Sequence, residues 1–323
     1  VGDGSHIQWT DATWNPVTGC SKVSQGCKHC YALRDWARLS APRPKPNVYT
    51  GREFTDVMFH PERLDQPLRW TKPRRVFVNS MSDLFHEHIG VEDLAAAFAY
   101  MGRAYWHTFQ VLTKRPEQMH AMLTSEDFLD VYHGAGHAAQ VDAEEILGSR
   151  GQFSVFERKR DDVRSRDFAL PLPNVWLGVS VEDQETADER IPLLLKTPAA
   201  VRFVSYEPAL GPIDFCETFG MWWNATMRAF ESTGPQFNRQ NGRRGIDWLI
   251  VGGESGSKAR PCVIGWVRNT ILQCRAAGVP VFVKQLGAQP TNREGEPHPL
   301  RDRKGGDMTE WPEDLRVREF PEC

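Results

Sequence analysis

Short apolar runs that break abruptly into polar residues alternate along the chain with longer stretches whose apolar positions fall three and four apart. Val76-Phe77-Val78-Asn79 gives way to Ser80-Met81-Ser82-Asp83, and Phe109-Gln110-Val111-Leu112 to Thr113-Lys114-Arg115-Pro116. Val175-Trp176-Leu177-Gly178-Val179 leads to Ser180-Val181-Glu182-Asp183, and Val201-Arg202-Phe203-Val204 to Ser205-Tyr206-Glu207-Pro208. Trp248-Leu249-Ile250-Val251 runs into Gly252-Gly253-Glu254-Ser255, and Val279-Pro280-Val281-Phe282-Val283 into Lys284-Gln285. Runs this short and this rich in Val, Ile and Phe are the pattern of parallel strands buried on both faces.

The segments between them have helical spacing. Leu94, Phe98, Met101 and Tyr105 form one stripe, and Phe219, Trp223, Met227 and Phe230 a second. Val267, Ile271 and Cys274 form a third, with Gly278 as its expected C-cap and Pro280 just beyond. Strand–helix alternation of this length predicts right-handed crossovers and a parallel α/β sheet, as a partial or full (βα) barrel of about six to seven strands. Two stretches break the rhythm. Residues 124–172 read as an insertion, solvated or acting as a phosphate-contacting arm, and include the mixed-charge run from Glu157 to Asp167. Residues 286–323, rich in Pro and charge, read as a strap over a barrel of residues 1–285.

Composition narrows the class. Of 323 residues 40% are hydrophobic and 25% charged, which excludes a disordered or fibrous chain. Lys and Arg number 39 against 42 Asp and Glu, a formal charge of −3, so no global basic field coats the molecule for nucleic acid. There is no apolar run of ~18 residues, and Val1 to His6 has neither the basic nor the apolar part of a secretion signal. A cytoplasmic protein without membrane contact is expected. Three of the seven cysteines, Cys20, Cys27 and Cys30, crowd one loop, which in a reducing compartment reads as metal or redox chemistry before disulfides.

The polar residues that follow the strands point to the site. Ser82 and Asp83, Lys114 and Arg115, Ser180 and Glu182, Glu207, Glu254 and Ser255, Lys284 and Gln285 each stand at a carboxyl end, where parallel sheets bind ligands. Lys114, Arg115, Arg260 and Lys284 would make a positive rim for a phosphorylated or carboxylated substrate, or else pair with Asp83, Glu182, Glu207 and Glu254. Trp14, Trp222 and Trp223 would stack a base or simply pack. His86 and His88, two apart, would point away from each other on a helix and do not suggest a second metal.

In the loop Gly19-Cys20-Ser21-Lys22-Val23-Ser24-Gln25-Gly26-Cys27-Lys28-His29-Cys30, glycines precede Cys20 and Cys27 and allow close backbone approach. Three thiolates suit zinc, with His29 or a distant histidine as fourth ligand, or a cuboidal iron–sulfur cluster with one open iron. The zinc-deaminase pattern fails, because Gln25-Gly26 stands where a proline is needed and no upstream His-x-Glu exists.

The cysteine cluster early in a (βα) barrel resembles the radical S-adenosylmethionine superfamily. More closely, the chain resembles a phage-associated three-cysteine-motif family, also found in bacterial genomes, whose members are known only as phage proteins of unknown function. The resemblance rests on Trp9 to Cys20, Gly26 to Ala32, Asn79 to Phe85, Leu112 to Pro116, Leu177 to Asp183, Val251 to Gly256, Ala259-Arg260-Pro261 and Phe282 to Gly287. It implies a 4Fe–4S cluster on Cys20, Cys27 and Cys30 and S-adenosylmethionine bound at the fourth iron, cleaved reductively to a 5′-deoxyadenosyl radical. A reductant protein such as flavodoxin or ferredoxin is implied, and the phage association suggests a nucleobase or nucleic-acid substrate. Six residues separate Cys20 from Cys27, where the superfamily's commonest pattern has three. The usual Gly-Gly-Glu is replaced after the Val76 run by Ser80-Met81-Ser82-Asp83 and appears only at Gly252-Gly253-Glu254. Ser82 and Asp83 are therefore assigned to the cosubstrate's amino group, Ser180 and Glu182 to its ribose, and Gly252 and Gly253 to close approach of adenine or substrate. Glu254 and Lys284 are the expected catalytic pair. The alternative is a non-catalytic nucleic-acid- or partner-binding protein stabilised by zinc or by a structural cluster.

Overall fold

The structure is a computed structural model that describes residue 5 and residues 7–149, 170–219, 221–224, 229–232 and 245–322, with the backbone alone at 221–224 and 229–232. Seven strands form one sheet. They are β1 (Ala12–Trp14), β2 (Arg75–Val78), β3 (Thr108–Thr113), β4 (Val175–Val181), β5 (Val201–Tyr206), β6 (Trp248–Gly252) and β7 (Val281–Gln285). They lie side by side in chain order and pair in parallel, with Val76 opposite Phe109 and Ile250 opposite Phe282. This is the topology of a partial parallel (βα) barrel, with β1 and β7 as its edges. β4 and β6 are buried at every position, in keeping with sequences that are apolar but for the buried Ser180. β1 is the strand the pattern does not announce, because a three-residue alternation of buried Ala12, half-buried Thr13 and buried Trp14 is too short to read.

The described residues fall into two compact units. One comprises Val1–Lys22, Cys30–Leu177 and Thr197–Ala200, the other Val23–His29, Gly178–Lys196 and Val201–Cys323. In the first, helix α1 (Tyr31–Ser40) follows Cys30, and α2 (Val91–Arg103) buries the expected Leu94, Phe98 and Met101. Helix α3 (Pro116–Leu123) starts directly after β3, with Pro116 at its first position. Helix α4 (Glu126–Gly148) occupies most of the described part of residues 124–172 and has one buried face. Its Phe128, Tyr132, Gly136, Ala139, Ala143 and Leu147 are buried, and it packs on α2, whose Ala95, Ala97 and Ala99 are buried too. Small residues on both helices let the backbones approach. The charge run of residues 157–167 lies outside the described residues.

In the second unit, helix α5 (Gln184–Lys196) starts at a reciprocal cap. The Asp183 carboxylate accepts from Thr186 N (3.1 Å), and the Thr186 hydroxyl accepts from Asp183 N (3.1 Å). Helix α6 (Ile264–Ala277) buries Val267, Ile271 and Cys274 and ends at Gly278 in the left-handed conformation, as the sequence predicts. The stripe Phe219, Trp223, Met227, Phe230 is not a helix. A short helix, Cys216–Phe219, precedes an antiparallel pair, Met221–Asn224 with Ala229–Ser232. Its Trp and Phe residues favour strands, and their four- and three-residue spacing coincides with a helical one. Met227 and the side chains of Trp222 and Trp223 lie outside the described residues. The C-terminal tail runs antiparallel along edge strand β7, with Val283 N donating to Val317 O (2.9 Å) and Phe320 stacked on Trp248. Among the described residues no helix is long and apolar enough to cross a membrane.

Candidate metal centre and its supports

Cys20 follows Gly19, whose φ of +90° and close packing against the Asp56 backbone exclude any side chain there. Cys20 N donates to Phe54 O (2.8 Å), and Gly19 bridges to Ser82. The side chain of Arg115 does the rest. The residue sits between the end of β3 and Pro116, which biases it away from helical backbone and fixes where the guanidinium starts. Its five N–H groups all find acceptors. Nη2 reaches Ser21 Oγ (2.7 Å) and Ser21 O (3.2 Å), and Nε reaches Glu87 Oε2 (3.0 Å). Nη1 reaches Asp83 Oδ2 (3.4 Å) and Cys20 Sγ (3.8 Å). Burial would lower the pKa of this arginine, but Asp83, Cys20 and Glu87 outweigh it and hold the pKa above its ordinary value. A permanent cation therefore faces the Cys20 sulfur, an arrangement that complements a thiolate, the metal-ligating form of cysteine.

Ser21 is saturated in the same way. Nδ1 of His86 accepts from His88 N (3.2 Å), so neutral His86 carries its proton on Nε2 and donates to Ser21 Oγ (2.9 Å). The hydroxyl then donates to Glu87 Oε1 (3.3 Å). Burial, followed by the charge of Arg115, lowers the His86 pKa and keeps the ring neutral. His86 and His88 are in a turn, not on a helix, and their rings meet edge to face at 5.0 Å.

Cys27 belongs to a segment held by an anion. Ser24 Oγ donates to Glu182 Oε1 (3.2 Å), and Gln25 donates to Asp183. Glu182 is fully buried and accepts from Arg190 Nη1 at 3.2 and 3.4 Å, while the same nitrogen donates to Ser180 O (2.7 Å). Gly26 lies flat on this carboxylate, and a Cβ there would stand 2.6 Å from Glu182 Cδ. Glycine is needed at that position for contact with the protein's own glutamate.

Two more ion pairs stand at strand ends in this unit. Glu207 Oε1 lies 3.1 Å from Lys284 Nζ, and its carboxylate rests on Gly252, where a Cβ would come within 2.5 Å. Glu254 takes three bonds from Arg260, to N (2.8 Å), Nε (3.0 Å) and Nη2 (2.7 Å). Burial raises its pKa, but the Arg260 bonds and the charges of Arg260 and His29 leave it below the usual carboxylate range.

The cysteines at the centre of this description, Cys20, Cys27 and Cys30, are half-buried thiols and not disulfides. Three soft sulfur donors in one loop are the donor chemistry of zinc or an iron–sulfur cluster. Among the described residues no three His, Cys, Asp or Glu side chains are grouped closely enough to hold a metal ion. The donor set is of the kind that would hold such a group.

A family model described as a protein of unknown function, DUF5131, matches residues 4–312. The chain belongs to the DUF5131 family. No curated protein and no solved structure matches it. The matched range contains all three loop cysteines and every support described above, so in this DUF5131 protein they are parts of the family's own domain.

Several expected ligand contacts are occupied by protein. Asp83 accepts from Thr113 Oγ1 (2.8 and 2.9 Å), Lys114 N (3.1 Å) and Phe85 N (3.0 Å) as well as from Arg115. Ser82 Oγ donates to Val17 O (2.7 Å) and Ser180 Oγ to Glu207 O (3.1 Å). Of the proposed positive rim, Arg115, Arg260 and Lys284 are paired with acids, and the partner of Glu182 is Arg190, which sequence reasoning did not name. Trp14 is a core residue, its Nε1 bonded to Arg63 O (2.8 Å). Ser21, Ser24, His86, Glu87 and Arg190 are the supports that sequence reasoning missed. Only Ser21 and Ser24, inside the cysteine loop, carried a signal.

Proposed function

We propose that the protein is a radical S-adenosylmethionine enzyme whose Cys20, Cys27 and Cys30 hold a 4Fe–4S cluster. The observation that carries this reading is the Arg115 guanidinium set against Cys20 Sγ, with the adjacent Ser21 fully bonded. A loop with only a surface role has no need of a buried cation spending all its donors on two consecutive residues and their neighbours. When bound, such a cluster supplies the electron that splits S-adenosylmethionine into methionine and a 5′-deoxyadenosyl radical, which takes hydrogen from the substrate. The chain's own residues bind and orient. Arg115 and the Glu182–Arg190 pair fix the two ends of the cysteine loop. Ser82, Asp83, Ser180 and Glu182 shape the strand ends and act on S-adenosylmethionine through that framework, since their side chains already hold protein partners. Glu254, ionised against Arg260, has no proton to give in that state, and Lys284, paired with Glu207, places a positive charge at its strand end. The electron is assigned to a flavodoxin- or ferredoxin-like donor and the substrate to the nucleobase or nucleic-acid class. Support for that class cannot come from the strand-end cations, because Arg115, Arg260 and Lys284 are neutralised by acids.

The test is anaerobic reconstitution of the full chain, followed by iron, sulfide and zinc analysis, the visible spectrum, and addition of dithionite with S-adenosylmethionine. About four irons, a brown chromophore and 5′-deoxyadenosine, all lost in Cys27→Ala, are expected. One zinc, no chromophore and intact S-adenosylmethionine would sink the proposal and leave a zinc-stabilised binding protein.

A further inference from the structure

The acids and cations at the strand ends are paired with one another, but the loop that leaves β6 is not closed off in this way. Glu254, 8% exposed, and Arg260 clamp its two ends, the carboxylate accepting from Arg260 N (2.8 Å), Nε (3.0 Å) and Nη2 (2.7 Å). Gly253 N donates to Gln285 O (2.9 Å) and Ala288 N to Glu254 O (2.9 Å), which fixes the first end to β7 and the residues after it. At the second end Ala259 is buried, and its N–H closes a turn on Gly256 O (3.1 Å).

The clamp holds out Ser255-Gly256-Ser257-Lys258, of which the first two are half-buried and the last two exposed. Among the described residues the backbone N–H groups of these four have no acceptor, nor have the serine hydroxyls and the Lys258 ammonium a partner. Gly256 has a φ of +109°, a conformation that a side chain would strain. Successive free N–H groups around a residue of positive φ form an anion-binding concavity. A lysine beside them supplies a point charge suited to phosphate. The loop also leaves the carboxyl end of a parallel strand, where such sheets bind ligands. Glu254 does not repel an anion there, since Arg260 takes up its charge at 2.7 Å. Leu286 N donates to Gly305 O (2.8 Å), so the segment that bonds Glu254 also receives the loop of Arg303 and Lys304. Both are exposed and without an acid partner among the described residues.

We propose that loop 255–258 binds a phosphate group of the substrate, with Lys258 as its cation and the serine hydroxyls and loop N–H groups as its donors. Phosphate is favoured over carboxylate because its oxygens accept from many directions. A planar carboxylate is matched best by an arginine fork, which this loop lacks. A free nucleotide and a nucleic-acid strand present the same group, and the experiment below separates them. The proposal deepens the function above and rests on that reading for the chemistry done on the substrate. Phosphate binding itself needs no cluster.

The experiment is isothermal titration calorimetry of the full chain, with and without iron. The probes are inorganic phosphate, deoxycytidine 5′-monophosphate, deoxycytidine, and a short single-stranded oligodeoxycytidylate without a terminal phosphate. In both iron states the monophosphate or the strand should bind about tenfold or more tightly than deoxycytidine. Lys258→Gln should weaken that binding about tenfold and leave deoxycytidine unchanged. Gly256→Ala keeps every charge but strains the loop, and should weaken it about fivefold or more. Ser255→Ala, expected to cost about threefold, covers the case of a misfolded Gly256 variant. Binding of the strand without the monophosphate assigns the phosphate to nucleic acid, and the reverse assigns it to a free nucleotide. Either upholds the proposal when the loop variants weaken it. No binding of phosphate, monophosphate or strand at millimolar concentration overturns it, as does binding that the folded loop variants retain in full. A loss confined to Lys258→Gln would reduce the loop to a surface charge and overturns it too. Zinc in place of iron, with loop-dependent phosphate binding intact, would sink the radical reading and leave the phosphate site standing.

Discussion

The two ends of the cysteine loop are held by opposite charges. At Cys20-Ser21 the loop presents a sulfur, a hydroxyl and a carbonyl, and a buried cation, Arg115, collects all three. At Ser24-Gln25-Gly26 the loop presents a hydroxyl and a bare backbone, and a buried anion, Glu182, receives them. The cation faces sulfur directly, while the anion touches the residues before Cys27 and its own charge is taken up by Arg190. Sulfur that is to carry negative charge is compatible with the first arrangement and would be repelled by the second. On the proposed reading the first end belongs to the donor chemistry, and the second is a mount.

The largest effect should come from breaking the mount. Glu182→Leu removes one partner of an ion pair in which both side chains are almost wholly buried, and leaves Arg190 uncompensated. Loss of about 3–5 kcal/mol is expected from such a change, measurable by urea unfolding, with Cys27 reactivity towards an alkylating reagent rising in parallel. A loss under about 1 kcal/mol would show that Arg190 finds another acceptor and that Glu182 is no anchor. Arg115→Met should cost about 2–4 kcal/mol, because Ser21, Glu87 and Asp83 each lose a charged donor. Its mark is different. Arg115→Lys, which keeps the charge and loses the fork, should recover part of the iron binding and little of the stability. Equal iron content in wild type, Met and Lys variants would make Arg115 a mount as well.

How much of this the sequence carried depends on the range of the interaction. Six of the seven sheet strands and the Gly278 cap are legible because each is written in a few consecutive residues. β1 is missed for want of length, and residues 221–232 are misread because aromatic spacing has two solutions. At the site the same rule holds. The cysteines and the polar strand ends are local signals, whereas the Arg190 partner of Glu182 sits on the helix face that follows and the Arg115 contacts join residues 28 to 95 positions apart. Asp83, Glu207 and Glu254 hold the protein's own donors, the pairing that is one of the two readings of the rim. A buried carboxylate is stable only when its acceptors are filled, and here the nearest donors are the protein's own.

Acid should separate the two ends. His86, part of the Cys20 end, has its pKa lowered by burial and by Arg115, so the folded state binds a proton less readily than the unfolded one. Its contribution is fully present above the ordinary histidine value of ~6.5 and is lost as pH falls below it. Buried His60 has the same sign, and so has His107, which burial lowers to about 4. The thermal midpoint of the wild type should therefore fall between pH 7 and pH 4, and His86→Gln should remove one part of that slope. An identical pH profile in His86→Gln would mean that the ring has the same pKa in the folded and unfolded states.

The smallest effect sharpens the contrast most finely. Ser21→Ala deletes a hydroxyl that accepts from Arg115 and His86 and donates to Glu87, yet leaves every charge in place. Arg115 keeps Cys20 Sγ, Ser21 O, Asp83 and Glu87, so only one of its five donors is orphaned, and His86 Nε2 loses its acceptor. About 1–2 kcal/mol of stability should go, with cluster loading nearly unchanged. Ser24→Ala, the matching deletion on the anion side, should cost less, about 1 kcal/mol, since Glu182 retains Arg190. If the Ser24 variant loses iron and the Ser21 variant does not, the roles are reversed, and the mount beside Cys27, not the cation beside Cys20, sets how the thiols close on their ligand.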